Sequence, residues 1–234
     1  MAFGSAPGVE GGLNRAHLHL RPWPLNPGSE GERPGPLGRS GYTQLVHETL
    51  MLHSLFGPAR TPEGHSRPMR QGEALMAGTL FKTSVNYNRV RVHNDEFLPF
   101  GLQPNNTAMT PNGEMYFNPS RFKEDFSLAE PSDQHWFMHE MVHIWQYQLG
   151  YPVMARGAIR IGLEYEYELD PAKKLSDYNM EAQGDLLADY WALKYAGIPE
   201  LVSMHVYRNR GFIGLYEQVL SRFLANPADR GNLP

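Results

Sequence analysis

Residues 139–143 read His-Glu-Met-Val-His, two imidazoles four residues apart with a carboxylate beside the first. On a helix this spacing puts both rings on one face, with Cβ atoms roughly 5 to 6 Å apart, so that both can reach one ion. Glu140 then projects next to the ion without binding it, where a general base is needed. A catalytic zinc takes a third protein ligand and keeps its fourth position for water. The segment NMEAQGD, residues 179–185, offers that ligand. Glu181 and Asp185 repeat the four-residue spacing and share a face with Ala188 and Ala192, with Gly184 alongside. Two carboxylates on a face of small residues make sense if that face packs closely against the histidine helix. The spacing therefore predicts His139, His143 and Glu181 as metal ligands, Glu140 as base, and Asp185 as acceptor for the free N–H of a ligand histidine.

Hydrolysis of an amide by a metal-activated water also calls for a donor to the developing oxyanion. Tyr178, one helical turn before Glu181, is the first choice, with Tyr165, Tyr167 and His205 as alternatives. Plainer readings exist for each part. Histidines four apart can be a polar stripe, and Glu181 with Asp185 an exposed acidic face; it is the pairing of the two motifs that favours a site. His135 extends the histidine row, but two turns span about 11 Å, too far for one ion, so a helix-start or rim position is expected. The aromatics Trp136, Phe137, Trp145, Tyr190 and Trp191 read as core.

These residues need elements to hold them. Pro131 and Ser132 can start a helix that carries the HExxH motif until Gly150 and Pro152 stop it. Ser176 or Asp177 can cap a second helix running to Ala196. Ahead of them, residues 73–81 look helical, and 85–93 alternate as a strand with a change of phase that suggests a bulge. TAMTPNGEMYFN, residues 107–118, reads as a β-hairpin turning at Pro111–Gly113. An exposed edge at 115–118 would suit an extended peptide substrate. Residues 157–170 fit a strand or a loop, and helices are expected at 200–207 and 212–225. The fold class is α+β, small and mostly helical, with a small sheet or hairpin ahead of the HExxH helix.

Of the 23 glycines and 19 prolines, 14 fall in the first 38 residues. Residues 1–66 are therefore read as a Gly/Pro-rich arm with one short helix at 43–56, and residues 67–234 as the compact domain. A net charge of −4 without a basic block argues against nucleic-acid binding. No apolar run is long enough to insert in a membrane, and the first residues show no export signal, which predicts a cytoplasmic protein in the producing cell. With no cysteine, any metal must be held by histidine and carboxylate.

The set His139, Glu140, His143, Glu181 and Asp185 resembles, position by position, the gluzincin type of zincin metallopeptidase. VRVHNDEFLPF, TAMTPNGEMYF, WFMHEMVHIWQYQ and SDYNMEAQGD further resemble bacterial proteins described as Vgr-related or Rhs-associated, and metallopeptidase domains of type VI secretion spikes. The resemblance covers residues 67–197. It implies a zinc-dependent peptidase effector acting on protein or peptide, delivered by a type VI system, with a VgrG-like spike or an immunity protein as partner. Two other readings are a zinc amidase acting on the cell wall and a catalytically silent zinc-binding adaptor of the spike. An intact HExxH argues against the last.

Overall fold

The computed structural model describes residues 3–5, 60–98, 102–103, 107–158 and 164–234. The helix expected at 43–56 lies outside them. The architecture is α+β: a small mixed sheet followed by two long helices that pack against each other, then short helical turns to the end of the chain.

The sheet has the order β1-β4-β5-β3-β2, from strands Phe3–Ser5 (β1), His65–Pro68 (β2), Arg91–Asn94 (β3), Thr107–Met109 (β4) and Met115–Phe117 (β5). β4 and β5 form the expected hairpin, with Ala108 opposite Phe117 and Met109 opposite Tyr116. Among the described residues the only parallel pair joins β3 to β5. Consequently β5 is an interior strand and not the free edge anticipated at 115–118; β1 and β2 are the edges. Residues 85–93 are also not one strand: Tyr87–Arg89 form a 3-10 turn, and pairing starts only at Arg91. The change of alternation at that point marks this turn rather than a bulge.

Helix α1 (Gln71–Phe81) is fixed at its start by Glu73, which is wholly buried. Its carboxylate takes two hydrogen bonds from Arg67 of β2, at 2.8 and 2.6 Å, and one each from the amides of Arg70 and Phe126. A paired arginine together with two amide donors is what lets a carboxylate stay inside. Helix α2 (Pro131–Gln148) begins with proline at its first position and ends before Gly150, whose φ of +90° is open to glycine. Helix α4 (Met180–Trp191) follows the short α3 (Val153–Ala158) and a 3-10 turn at Leu175–Asp177. Its cap is Asn179, not Ser176 or Asp177. The Asn179 side chain accepts from the amides of Glu181 and Ala182, at 2.9 and 3.0 Å. The last turn, Ala192–Ala196, loosens into a π-helix before Gly197.

One continuous core joins sheet and helices, and it contains all five aromatics expected there. Phe223 packs edge to face against both Trp145 and Phe81, and the indole N–H of Trp145 donates to Pro227 O at 2.8 Å. The C-terminal third supplies short pieces: α5 (Ile213–Val219) and α6 (Ser221–Ala225), with 3-10 turns at Pro199–Leu201 and His205–Tyr207 in place of the helix expected at 200–207.

Candidate metal centre

Helices α2 and α4 run antiparallel, so each step of four residues along α2 meets a step of four back along α4. Three pairs result: His135 with Asp189 at 2.7 Å, His139 with Asp185 at 2.7 Å, and His143 with Glu181 at 3.2 Å. The close approach depends on Gly184. A Cβ at that position would lie 2.5 Å from Cε1 of His139, inside any real contact distance.

The middle of this zipper forms the cluster. Nε2 of His139 and Nε2 of His143 are 3.2 Å apart, and lie 3.3 and 3.2 Å from the same Oε2 of Glu181. All three side chains are buried. The outer nitrogens are already engaged: Nδ1 of His139 faces Asp185, and Nδ1 of His143 faces Oε1 of Gln146 at 2.8 Å. The orientation of Gln146 is settled by its amide nitrogen, which donates to Met180 O and to Gln183 Oε1. Its oxygen must therefore accept, and Nδ1 of His143 carries the hydrogen. Both Nε2 lone pairs then point at one carboxylate oxygen, an arrangement that calls for a positive charge. Without a metal, a proton serves. Burial works against charge on His139, but the Asp185 and Glu181 carboxylates override it and raise its pKa well above the usual value. Burial likewise favours neutral Glu181, but the two imidazoles outweigh it and hold its pKa down to about 2. His139, His143 and Glu181 can hold a metal ion. Two neutral imidazoles and one carboxylate, without thiolate, suit a borderline ion such as zinc better than a hard cation.

Glu140 is wholly buried beside this cluster without belonging to it. Its Oε2 accepts from the Thr110 hydroxyl at 2.6 Å, whereas its Oε1 has no hydrogen-bond partner among the described residues. Burial raises its pKa, with the histidine charges and Thr110 opposing.

Of the residues anticipated from sequence, His139, Glu140, His143, Glu181 and Asp185 are brought together. The Tyr178 hydroxyl donates to Glu168 O at 2.7 Å and is not drawn into the cluster. Tyr167 donates to Asp189 at 2.5 Å, and His205 is exposed. The tyrosine set against the site is Tyr165, whose ring stacks on that of His139 at 6.0 Å between centroids. His135 is not at a rim: it is buried, and its partner Asp189 also accepts from Tyr167 and from the amide and hydroxyl of Ser203. Three residues escaped the sequence reading. Gln146 had a signal, lying three residues after His143 on the same face; Asn179 had one as a capping residue type. Thr110 had none, because only the fold of the hairpin brings it to Glu140.

No protein-family model matches the chain. The chain is 38% identical over 162 residues to the type VI secretion system spike protein VgrG2b of Pseudomonas aeruginosa, a match that covers 66% of this chain and 16% of that protein's length. Its structure is similar to the effector domain of Pseudomonas aeruginosa VgrG2b, with 32% identity and a TM-score of 0.53, covering 75% of this chain and 97% of that domain.

Proposed function

Because the chain belongs to the family of the VgrG2b effector domain, we propose that it is a zinc-dependent peptidase effector acting on protein or peptide in a type VI secretion setting, in association with a secretion spike. The observation that carries this reading is the combination of a buried His139–His143–Glu181 triangle with a Glu140 that is turned toward Thr110 instead of toward the ligands. A purely structural metal site would not need a buried carboxylate next to its ligands.

A zinc ion held by His139, His143 and Glu181 would polarise the scissile carbonyl and lower the pKa of a water. The protein's own groups do the rest. Glu140 takes a proton on the oxygen that Thr110 leaves unbonded, and returns it to the departing amine. Thr110 fixes the rotamer of Glu140, so the acid-base group does not have to be ordered during reaction. Asp185 and Gln146 hold the two imidazoles in the tautomer that leaves Nε2 free. For the oxyanion donor, Tyr165 is set against the ligand His139 by ring stacking, whereas the Tyr178 hydroxyl is turned to Glu168 O.

Elemental analysis after metal-replete purification, together with digestion of a denatured protein mixture, tests the reading. About one zinc per chain and new cleavage products are expected. A protein that binds zinc but releases only peptide stems from cell-wall material would move the assignment to an amidase, and one with no transition metal would end it. Among the described residues no helix is long and apolar enough to cross a membrane.

A further inference from the structure

Strand β4 is paired on both sides. The hairpin supplies β5 on one side; on the other lies β1, antiparallel, with Phe3 opposite Met109, Gly4 opposite Ala108 and Ser5 opposite Thr107. β1 also touches α2, the helix that carries the HExxH motif. The residue that follows β4 is Thr110, which donates to the base Glu140. Any chain laid along this side of β4 is thus carried by its own backbone toward the reacting groups. Recognition through main-chain hydrogen bonds takes extended polypeptide with little regard to sequence.

The strand now in that place is weakly built. It has three residues with a glycine in the middle, which costs entropy and brings no side chain to pack. Its partner lies about a hundred residues away in sequence, so no tight turn fixes the pairing. Such a strand can be exchanged for another.

We infer that β4 is a strand-receiving edge for extended polypeptide and that Phe3–Ser5 is the chain's own occupant of it, an internal competitor that an incoming chain must displace. That the incoming chain is a substrate rests on the peptidase reading; that the edge is exchangeable does not. Tethering gives β1 an effective concentration that a free peptide has to overcome, so occupancy by β1 raises the apparent KM without changing the chemistry.

The test uses the full chain carrying Phe3→Pro and Gly4→Pro together, which removes one N–H from each side of the strand. The probe is a fluorescein-labelled peptide of residues 1–8, MAFGSAPG, followed by anisotropy with and without zinc. The variant is expected to bind it at least about tenfold more tightly than the parent, with unchanged metal content, and to digest denatured protein with a lower KM and similar kcat. Equal peptide affinity for variant and parent overturns the inference. Hydrogen exchange on the parent keeps the question open to refutation should the variant not fold: protected amides at residues 3–5 that lose protection in excess peptide support displacement, and amides never protected refute it. Tight peptide binding without any cleavage would sink the peptidase reading and leave the edge standing. Cleavage with equal peptide affinities would do the reverse.

Discussion

The two oxygens of Glu140 differ in their surroundings, one taken by Thr110 and one without a partner, and this asymmetry defines what substitution there should do. Glu140→Gln keeps the size and the bond to Thr110 but removes the base, so turnover should fall by about 10² to 10⁴-fold. Zinc content and melting temperature should stay close to the parent's, because all three ligands remain; loss of zinc would show that Glu140 has been misassigned. Gly184→Ala sets two effects against each other. Alanine is favoured over glycine in a helix by about 1 kcal/mol, yet its methyl would occupy the space of the His139 ring. The displacement should win, seen as at least about tenfold weaker zinc binding by chelator competition. Acid should act on the same ring. The pKa of His139 is raised in the metal-free fold, so a proton competes for Nε2 until the pH passes that raised value. Apparent zinc affinity should accordingly tighten as pH rises from the usual histidine range through that raised value, with proton release on binding in calorimetry; a flat profile would mean that the ring is already neutral.

At the scale of elements, the antiparallel pair α2 and α4 carries nearly all of the candidate metal centre, and its third rung explains why it stays in register. Asp189 is buried and accepts from His135, Tyr167 and Ser203, which fastens two separate segments to the pair. Asp189→Ala should cost about 3 kcal/mol or more, because the buried His135 and Tyr167 and the part-buried Ser203 lose their acceptor. Its effect on zinc affinity in the folded protein should be smaller than that of Asp185→Ala, expected at about 10 to 100-fold. Melting curves and zinc titrations on the two variants separate stability from metal affinity. These two helices were also what the sequence showed most clearly, because the spacing of four repeats on both and Gly184 marks the face of close approach. The sheet was less legible. Strands of three and four residues give too few alternations to define a period, so the 3-10 turn at Tyr87–Arg89 read as strand. Nothing in the sequence said that β5 would be interior, since that depends on a parallel partner, β3, on the side away from the hairpin. Tyr178 shows the limit for site residues: one turn from Glu181 is close in sequence, but its hydroxyl is taken by Glu168 O.

For the whole molecule, the division at residue 66 is a proposal about which part suffices to bind metal. Thr61 bonds to Glu124 through both its amide and its hydroxyl, at 2.6 and 2.9 Å. A chain shortened to begin at Arg60 keeps those bonds and the whole core cluster, and should bind zinc and melt cooperatively. Such a chain lacks β1 as well and would present β4 bare, so dimers through that edge are expected at high concentration in sedimentation. Loss of soluble protein would show that the first 59 residues belong to the folding unit. The helical zipper has a consequence of another kind. Because His135, His139 and His143 repeat every four residues and Glu181, Asp185 and Asp189 repeat likewise, the two helices form a vernier that would mesh again after sliding by one turn. Such a slide would present a histidine pair with an aspartate, one methylene shorter than glutamate, and a different cavity. Gly184 faces His139 in one setting of this ruler, so a single hydrogen in place of a side chain selects the register in which His139, His143 and Glu181 meet.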